Sequence, residues 1–236
     1  MLIDGDPQKN LTDLLRVEVP ANQPTLLEVI KGDVSVEDAI YPVPDRENLF
    51  LIPADRALNS AQYYLATLAN SAAVLRLRLK PVKQHFGLMV IDSPPQKSHI
   101  CLTALGAADC VIIPAEVAAK GVNSLAETWA LLEESRTMEA FRGELIGVLP
   151  FRAKWIGNLP TIETRNNIET MRQMVGEVLL PPLLESEIYK KSINYAACPS
   201  EIAPEKADLE YPFDILLQRM RKYLQISENT LVEATK

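Results

Sequence analysis

Short apolar runs, too brief for helices, recur along the 236-residue chain, and most stop abruptly at an aspartate or a proline. Leu2-Ile3 ends at Asp4, the run from Asn48 at Pro53, Leu88 to Ile91 at Asp92, and Cys110 to Ile113 at Pro114. Unbroken apolar runs of this length, bounded by turn residues, predict strands buried on both faces of a parallel sheet. Leu145 to Leu149 reads as another strand, and so does Leu179 to Leu184, interrupted by Pro181 and Pro182. Between the strands the period changes to that of helices. Thr25 to Lys31 is a brief amphipathic helix, and Asn59 or Ser60 caps a long one running to Leu79 with Tyr63, Leu65, Leu68 and Leu75 inward. Ser98 to Leu105 is a third, and Ser124-Leu-Ala-Glu127 a capping box that opens a fourth over Leu125, Trp129 and Leu132. Phe151 to Thr164 is irregular, with Gly157, Pro160 and an exposed Trp155. Ile168 to Val178 and Pro212 to Leu224 are helical again. Strands alternating with helices predict an α/β chain with a doubly wound, mostly parallel sheet flanked by helices, over residues 1–226 with a tail at 227–236.

Composition narrows the function classes. Hydrophobic residues make up 47% and charged residues 23%, which is ordinary for a folded protein and excludes a disordered one. A net charge of −7 argues against wholesale coating of nucleic acid and leaves room for a local basic patch. Cys101, Cys110 and Cys198 are odd in number and lack C-x-x-C spacing, which suits a reducing cytoplasm and no zinc site. No stretch reaches the roughly 18 apolar residues of a membrane span, so a cytoplasmic protein without a membrane partner is expected. His85 and His99 stand without a nucleophile partner and read as packing or surface residues.

The chemistry lies where strands end. Asp4, Asp6 and Asp92 follow strands whose carboxyl ends form the ligand-binding edge of an open α/β sheet. Carboxylates gathered there suit Mg²⁺ with phosphate, because that ion takes one or two carboxylates and completes its shell with water and phosphate oxygens.

Asp4-Gly5-Asp6-Pro7-Gln8-Lys9-Asn10-Leu11-Thr12 together with Asp92-Ser93-Pro94-Pro95 resembles the ParA family of partition ATPases, relatives of MinD-type proteins. Ala107-Ala108-Asp109, Gly121-Val122-Asn123-Ser124-Leu125 and Ile146-Gly147-Val148-Leu149 stand in the family's order. The resemblance implies ATP and Mg²⁺ as cofactors. It implies Asp92 as the carboxylate holding Mg²⁺ through water, and Asp6 as the one that positions the lytic water. It puts Asp4 at the metal shell or opposite a partner's lysine, and Asn10 and Pro182 beside the nucleotide. It also implies a homodimer, a ParB-type stimulating protein, and nonspecific DNA binding through Lys190, Lys191, Arg219, Arg221 and Lys222 of the dimer. Gly5 departs from the bulky residue usual between the two aspartates, which loosens the turn.

The family's G-K-[ST] phosphate loop is absent from the sequence; Lys31-Gly32-Asp33 and Lys120-Gly121-Val122 match nothing. That loop supplies backbone N–H groups, a lysine and a hydroxyl to the nucleotide phosphates and their metal. The expectation is a chain that opens at the family's second strand, with the first β-α unit missing and Met1 an internal methionine of a longer reading frame. Tight ATP binding by the chain alone is not expected. Two other readings remain open, a non-catalytic relative that works through a partner chain and an amidoligase of the same fold.

Overall fold

Strand β1, Leu2–Asp4, lies inside a four-stranded sheet of order β2-β3-β1-β4, with β2 at Tyr41–Pro42, β3 at Phe50–Ile52 and β4 at Val90–Asp92. In this computed structural model residues 1–94 and 97–224 are described; Pro95 and the expected tail at 227–236 lie outside them. β1 runs parallel to both neighbours, pairing Ile3 with Ile52 and with Ile91, while β2 is antiparallel to β3. Ile3, Leu51 and Ile52 are fully buried, as apolar runs without alternation require. β4 pairs with β1 alone among the described residues, and Val90 on this edge strand is exposed.

This sheet belongs to one of two compact units, residues 1–108 with Ser135–Arg142. Helix α1 (Asn10–Leu14) packs Leu11, with Leu15 just beyond its end, against Val17, Val43 and Leu51. The larger core lies around Ile3 and Ile52, where α2 (Leu26–Lys31) buries Leu26, Leu27, Val29 and Ile30. Thr25 and Glu28 form a reciprocal capping box at the start of α2, and Gly32 ends it with φ 81°. Arg78 donates to the carbonyls of Ile30 and Lys31, so this member of the basic run near residue 80 caps α2 from outside.

The long helix expected up to Leu79 is broken into α3 (Ala61–Ala66) and α4 (Val74–Leu79), joined by irregular turns. The cause is tertiary. The Thr67 hydroxyl donates to the Tyr64 carbonyl, and Leu75 N–H donates across to Thr103 Oγ1 of α5 (His99–Ala107) at 2.9 Å. Gly106 of α5 admits the Ala72 carbonyl so closely that a Cβ there would lie 1.9 Å from it. Leu65, Leu68 and Leu75 pack on the core as expected, and Tyr63 does not. Tyr63 is 80% exposed, and it is Tyr64 that packs on the core and donates its hydroxyl to the Lys31 carbonyl.

The second unit, Asp109–Glu134 with 143–224, holds the parallel pair β5 (Cys110–Glu116) and β6 (Glu144–Phe151). Residues 179–184 run beside β6, with bridges from Val148 to Leu179 and from Ala153 to Leu184. Pro181 and Pro182 have no N–H to offer, so the expected strand survives only as these two bridges. Helix α6 is Ala119–Thr137 and begins before the expected capping box, leaving Ser124 inside the helix rather than at its start. Leu125 and Leu132 are nevertheless buried. A hairpin, β7 (Trp155–Ile156) and β8 (Leu159–Pro160), replaces the expected irregular stretch and leads into α7 (Ile162–Val175). Then follow α8 (Glu187–Tyr195), α9 (Pro199–Ile202) and α10 (Tyr211–Leu224), whose Leu216 packs with Ile146, Leu149 and Leu180. No helix of the described residues is long and apolar enough to cross a membrane.

One buried polar network ties the first unit together. Asp4 Oδ2 accepts from Thr12 N–H at 2.8 Å and from Thr12 Oγ1 at 2.7 Å, and Thr12 Oγ1 in turn accepts from Ala54 N–H at 3.1 Å. The ends of β1 and β3 and the start of α1 thus meet at one hydroxyl. Thr12→Val keeps the shape but removes that hydroxyl, leaving Ala54 N–H without a partner, and is expected to cost about 1–3 kcal/mol. Urea unfolding checks this, with Thr12→Ser expected to retain most of the stability.

Candidate functional site

Because β1, β3 and β4 are parallel, their carboxyl ends emerge at one edge of the sheet. The register places Asp4 beside Asp92, and the ladder continues one step further, Gly5 N–H donating to the Asp92 carbonyl at 2.7 Å. A Cβ on residue 5 would lie 2.6 Å from that oxygen. Gly5 is therefore a steric requirement of the close approach of β4, which corrects the expectation that it loosens the turn.

Asp4 is 0% exposed. Its Oδ1 accepts from Asp6 N–H at 3.1 Å and its Oδ2 takes both Thr12 donors, so the carboxylate braces the turn that follows β1. A buried carboxylate is tolerated only when it is bonded in this way.

Asp6 is partly buried and makes an Asx turn, its Oδ1 accepting from Gln8 N–H at 2.9 Å while its carbonyl accepts from Lys9 N–H. Lys9 then adopts φ 52° and gives its ammonium to Asp13 at 2.6 Å. Asn10 follows as the exposed first residue of α1.

Asp92 is exposed at the end of β4. Its carboxyl is held above the ordinary range, first by partial desolvation and then by the charges of Asp4 and Asp6. Asp6 and Asp92, 86 residues apart in the chain, thus act on each other across one edge. A carboxylate disfavoured by like charges gains from a divalent cation. Among the described residues no three His, Cys, Asp or Glu side chains enclose a metal. The donor set therefore fits Mg²⁺ that brings water and phosphate oxygens with it, rather than a closed protein cage.

The remaining residues singled out from the sequence lie in the second unit. Pro182 is half-buried in the segment beside β6. Arg219 donates to the carbonyls of Ile146, Val178 and Glu177, so its guanidinium anchors α10. Lys190 pairs with Glu187 at 2.6 Å, which raises its pKa, and Arg221 is partly buried with its Nε unbonded. Lys191 and Lys222 are exposed. The residue whose role sequence reasoning missed is Thr12: it stands in the quoted motif, but its partnership with Asp4 needs the turn between them to be seen.

The family profile described as an AAA domain matches residues 1–141. Maintenance of carboxysome distribution protein A of Synechococcus elongatus is 45% identical over 221 residues, covering 93% of this chain and 86% of that protein. The sporulation initiation inhibitor Soj of Bacillus subtilis is 31% identical over 137 residues, 57% of this chain and 54% of that protein. Among solved structures, a Cyanothece McdA variant in complex with ATP superposes with a TM-score of 0.89 at 40% identity, over 96% of this chain and 85% of that one. An acidic turn and a strand-end aspartate meeting at one sheet edge, in a chain related over nearly its whole length to McdA, place this protein in the ParA-like family of ATPases.

Proposed function

We propose that this chain serves an ATP-driven system that distributes a large intracellular cargo, of the kind for which the carboxysome distribution proteins are named. The observation that carries the reading is the convergence of Asp6 and Asp92 at one edge, in a chain that shares 86% of the length of such a protein. Plasmid or chromosome partition, expected from the motifs, uses the same chemistry. The extent of the likeness to McdA favours the carboxysome as cargo over either.

Phosphoryl transfer to water needs a metal on the phosphates and a group that orients the attacking water. Asp92 would hold Mg²⁺, through water, and the ion when bound offsets charge on the phosphate oxygens. Asp6 has one oxygen fixed by Gln8 N–H, so its other oxygen is set to accept a proton of the attacking water and aim it. Asp4 and Thr12 hold the turn so that this aim needs no rearrangement. Association into a dimer around the nucleotide and stimulation by a second protein complete the reading.

Asp6→Ala is expected to leave Mg-ATP binding within about twofold and to slow hydrolysis by about 10²-fold, the usual range for a residue handling a proton in the transition state. Calorimetric titration beside a phosphate-release assay checks it, and unchanged turnover would remove Asp6 from the reaction.

Asp92→Asn separates function from stability. The native pKa of Asp92 is raised, so its charge disfavours the folded state once pH passes the ordinary carboxylate value. The Asn variant is expected to match the parent at pH ~3. As pH rises through the raised value it becomes the more stable of the two, and the difference then levels off. Thermal melts in EDTA across that range measure the effect, and loss of Mg²⁺-dependent nucleotide binding should accompany it.

A further inference from the structure

One long stretch of the first unit is almost without acids. Of the 236 residues 31 are Asp or Glu, roughly one in eight, yet none lies between Asp55 and Asp92 and none between Asp92 and Asp109. These stretches supply α3, α4, the 3₁₀ turn Lys80–His85 that continues α4, and α5, which packs on both α3 and α4. Arg56, Arg76, Arg78, Lys80 and Lys83 all fall in the first of them, so a chain of net charge −7 has a local excess of positive charge here. The fold uses only one of these cations visibly. Arg78, on the side of α4 that meets α2, donates to the Ile30 and Lys31 carbonyls.

The face turned to water is ordered in two rows. Val74, Leu75, Leu79 and Val82 are buried, while Arg76, Lys80 and Lys83 are exposed as one row and Leu77 and Pro81 as another beside it. Spacing makes the rows: Arg76 and Lys80, like Leu77 and Pro81, stand four apart, and Lys80 and Lys83 stand three apart where a 3₁₀ turn eclipses its side chains. Leu77 is 65% exposed. Like charges at this spacing repel, and Arg76 and Lys80 form no ion pair among the described residues that would relieve it. Helical backbone continues to His85, so the dipole that favours cations in a last turn accounts for Lys83 and does not reach Arg76 or Lys80. The 3₁₀ turn leads into the amino end of β4, away from the edge where Asp6 and Asp92 meet.

We propose that this face docks an acidic segment of another protein, with carboxylates on the row Arg76, Lys80 and Lys83 and an apolar side chain against Leu77 and Pro81. Charge complementarity sets the sign of the partner, and the apolar row sets its class. Nucleic-acid phosphates would meet the cations alone and leave Leu77 in water, and three cations neutralise few phosphates against a chain of charge −7. A bilayer needs a wider apolar stripe than Leu77 and Pro81 make. An acidic segment with a leucine among its carboxylates uses both rows, and it relieves the repulsion within the cationic one.

The docking face is independent of the nucleotide chemistry, and its test leaves out nucleotide and Mg²⁺ so that failure here does not touch the reading of Asp6 and Asp92. The probe is a fluorescein-labelled peptide in which Glu-Glu-Leu-Glu is repeated three times, titrated with the full chain at low salt and followed by fluorescence anisotropy. Saturable binding is expected with a dissociation constant of about 10–200 μM, the strength of a few exposed ion pairs and one apolar contact. Arg76→Gln with Lys80→Gln should weaken it about fivefold and Leu77→Ser about threefold, at an unchanged melting temperature because all three side chains lie in water. With serine in place of leucine in the peptide, Leu77→Ser should lose its effect while the double variant keeps its own. No saturable binding, an affinity that neither variant changes, or a short DNA duplex or phosphatidylserine vesicles binding through Arg76 and Lys80 more tightly than the peptide would each overturn it.

Discussion

The bond between the buried Asp4 carboxylate and Thr12 is the constraint on which the rest of the site depends. A charged group with no access to water is unfavourable unless every lone pair that matters is met. Here the donors come from the following turn and from the helix it opens. The same threonine oxygen accepts from the end of β3. Two strands and a helix are thereby held by one acid, and the path of residues 5–11 between its two ends is fixed. Asp6 sits on that path, so its aim is inherited from Asp4.

In the proposed reading, the site would draw its affinity for cations from a conflict between like charges in the fold. Asp92 emerges beside two other carboxylates, and Lys9, the cation of the acidic turn, is spent on Asp13. Electrostatic repulsion of this kind weakens the folded chain slightly and would be relieved by a divalent ion bound there with phosphates. Binding and folding are linked through the same charges.

Much of this was legible in the sequence, and the failures have definite causes. Apolar runs ending in Asp or Pro located the strands, because burial on both faces leaves no alternation to confuse the pattern. The acidic motifs located the edge where Asp6 and Asp92 meet. What could not be read was whatever depends on a distant partner. The helix expected up to Leu79 is interrupted between Ala66 and Val74, where Thr103 and Gly106 of another helix take the Leu75 N–H and admit the Ala72 carbonyl. Ser124 had the spacing of a cap, but α6 had already begun at Ala119. Arg219 looked like a free cation and is a brace for three carbonyls. The hairpin is a different case: Gly157-Asn158 between apolar pairs is a readable turn signal, masked by Pro160, which argues against a strand because it cannot donate to a ladder.

Gly5 has a consequence for how such chains diverge. With the carbonyl of Asp92 occupying the space where a side chain would start, position 5 and the spacing of β1 and β4 cannot change separately. A homologue bearing any side chain there must hold the two strand ends further apart, and its two acids with them. Drift at one small residue therefore sets the spacing of the two strand ends, and the pair of positions is expected to evolve together.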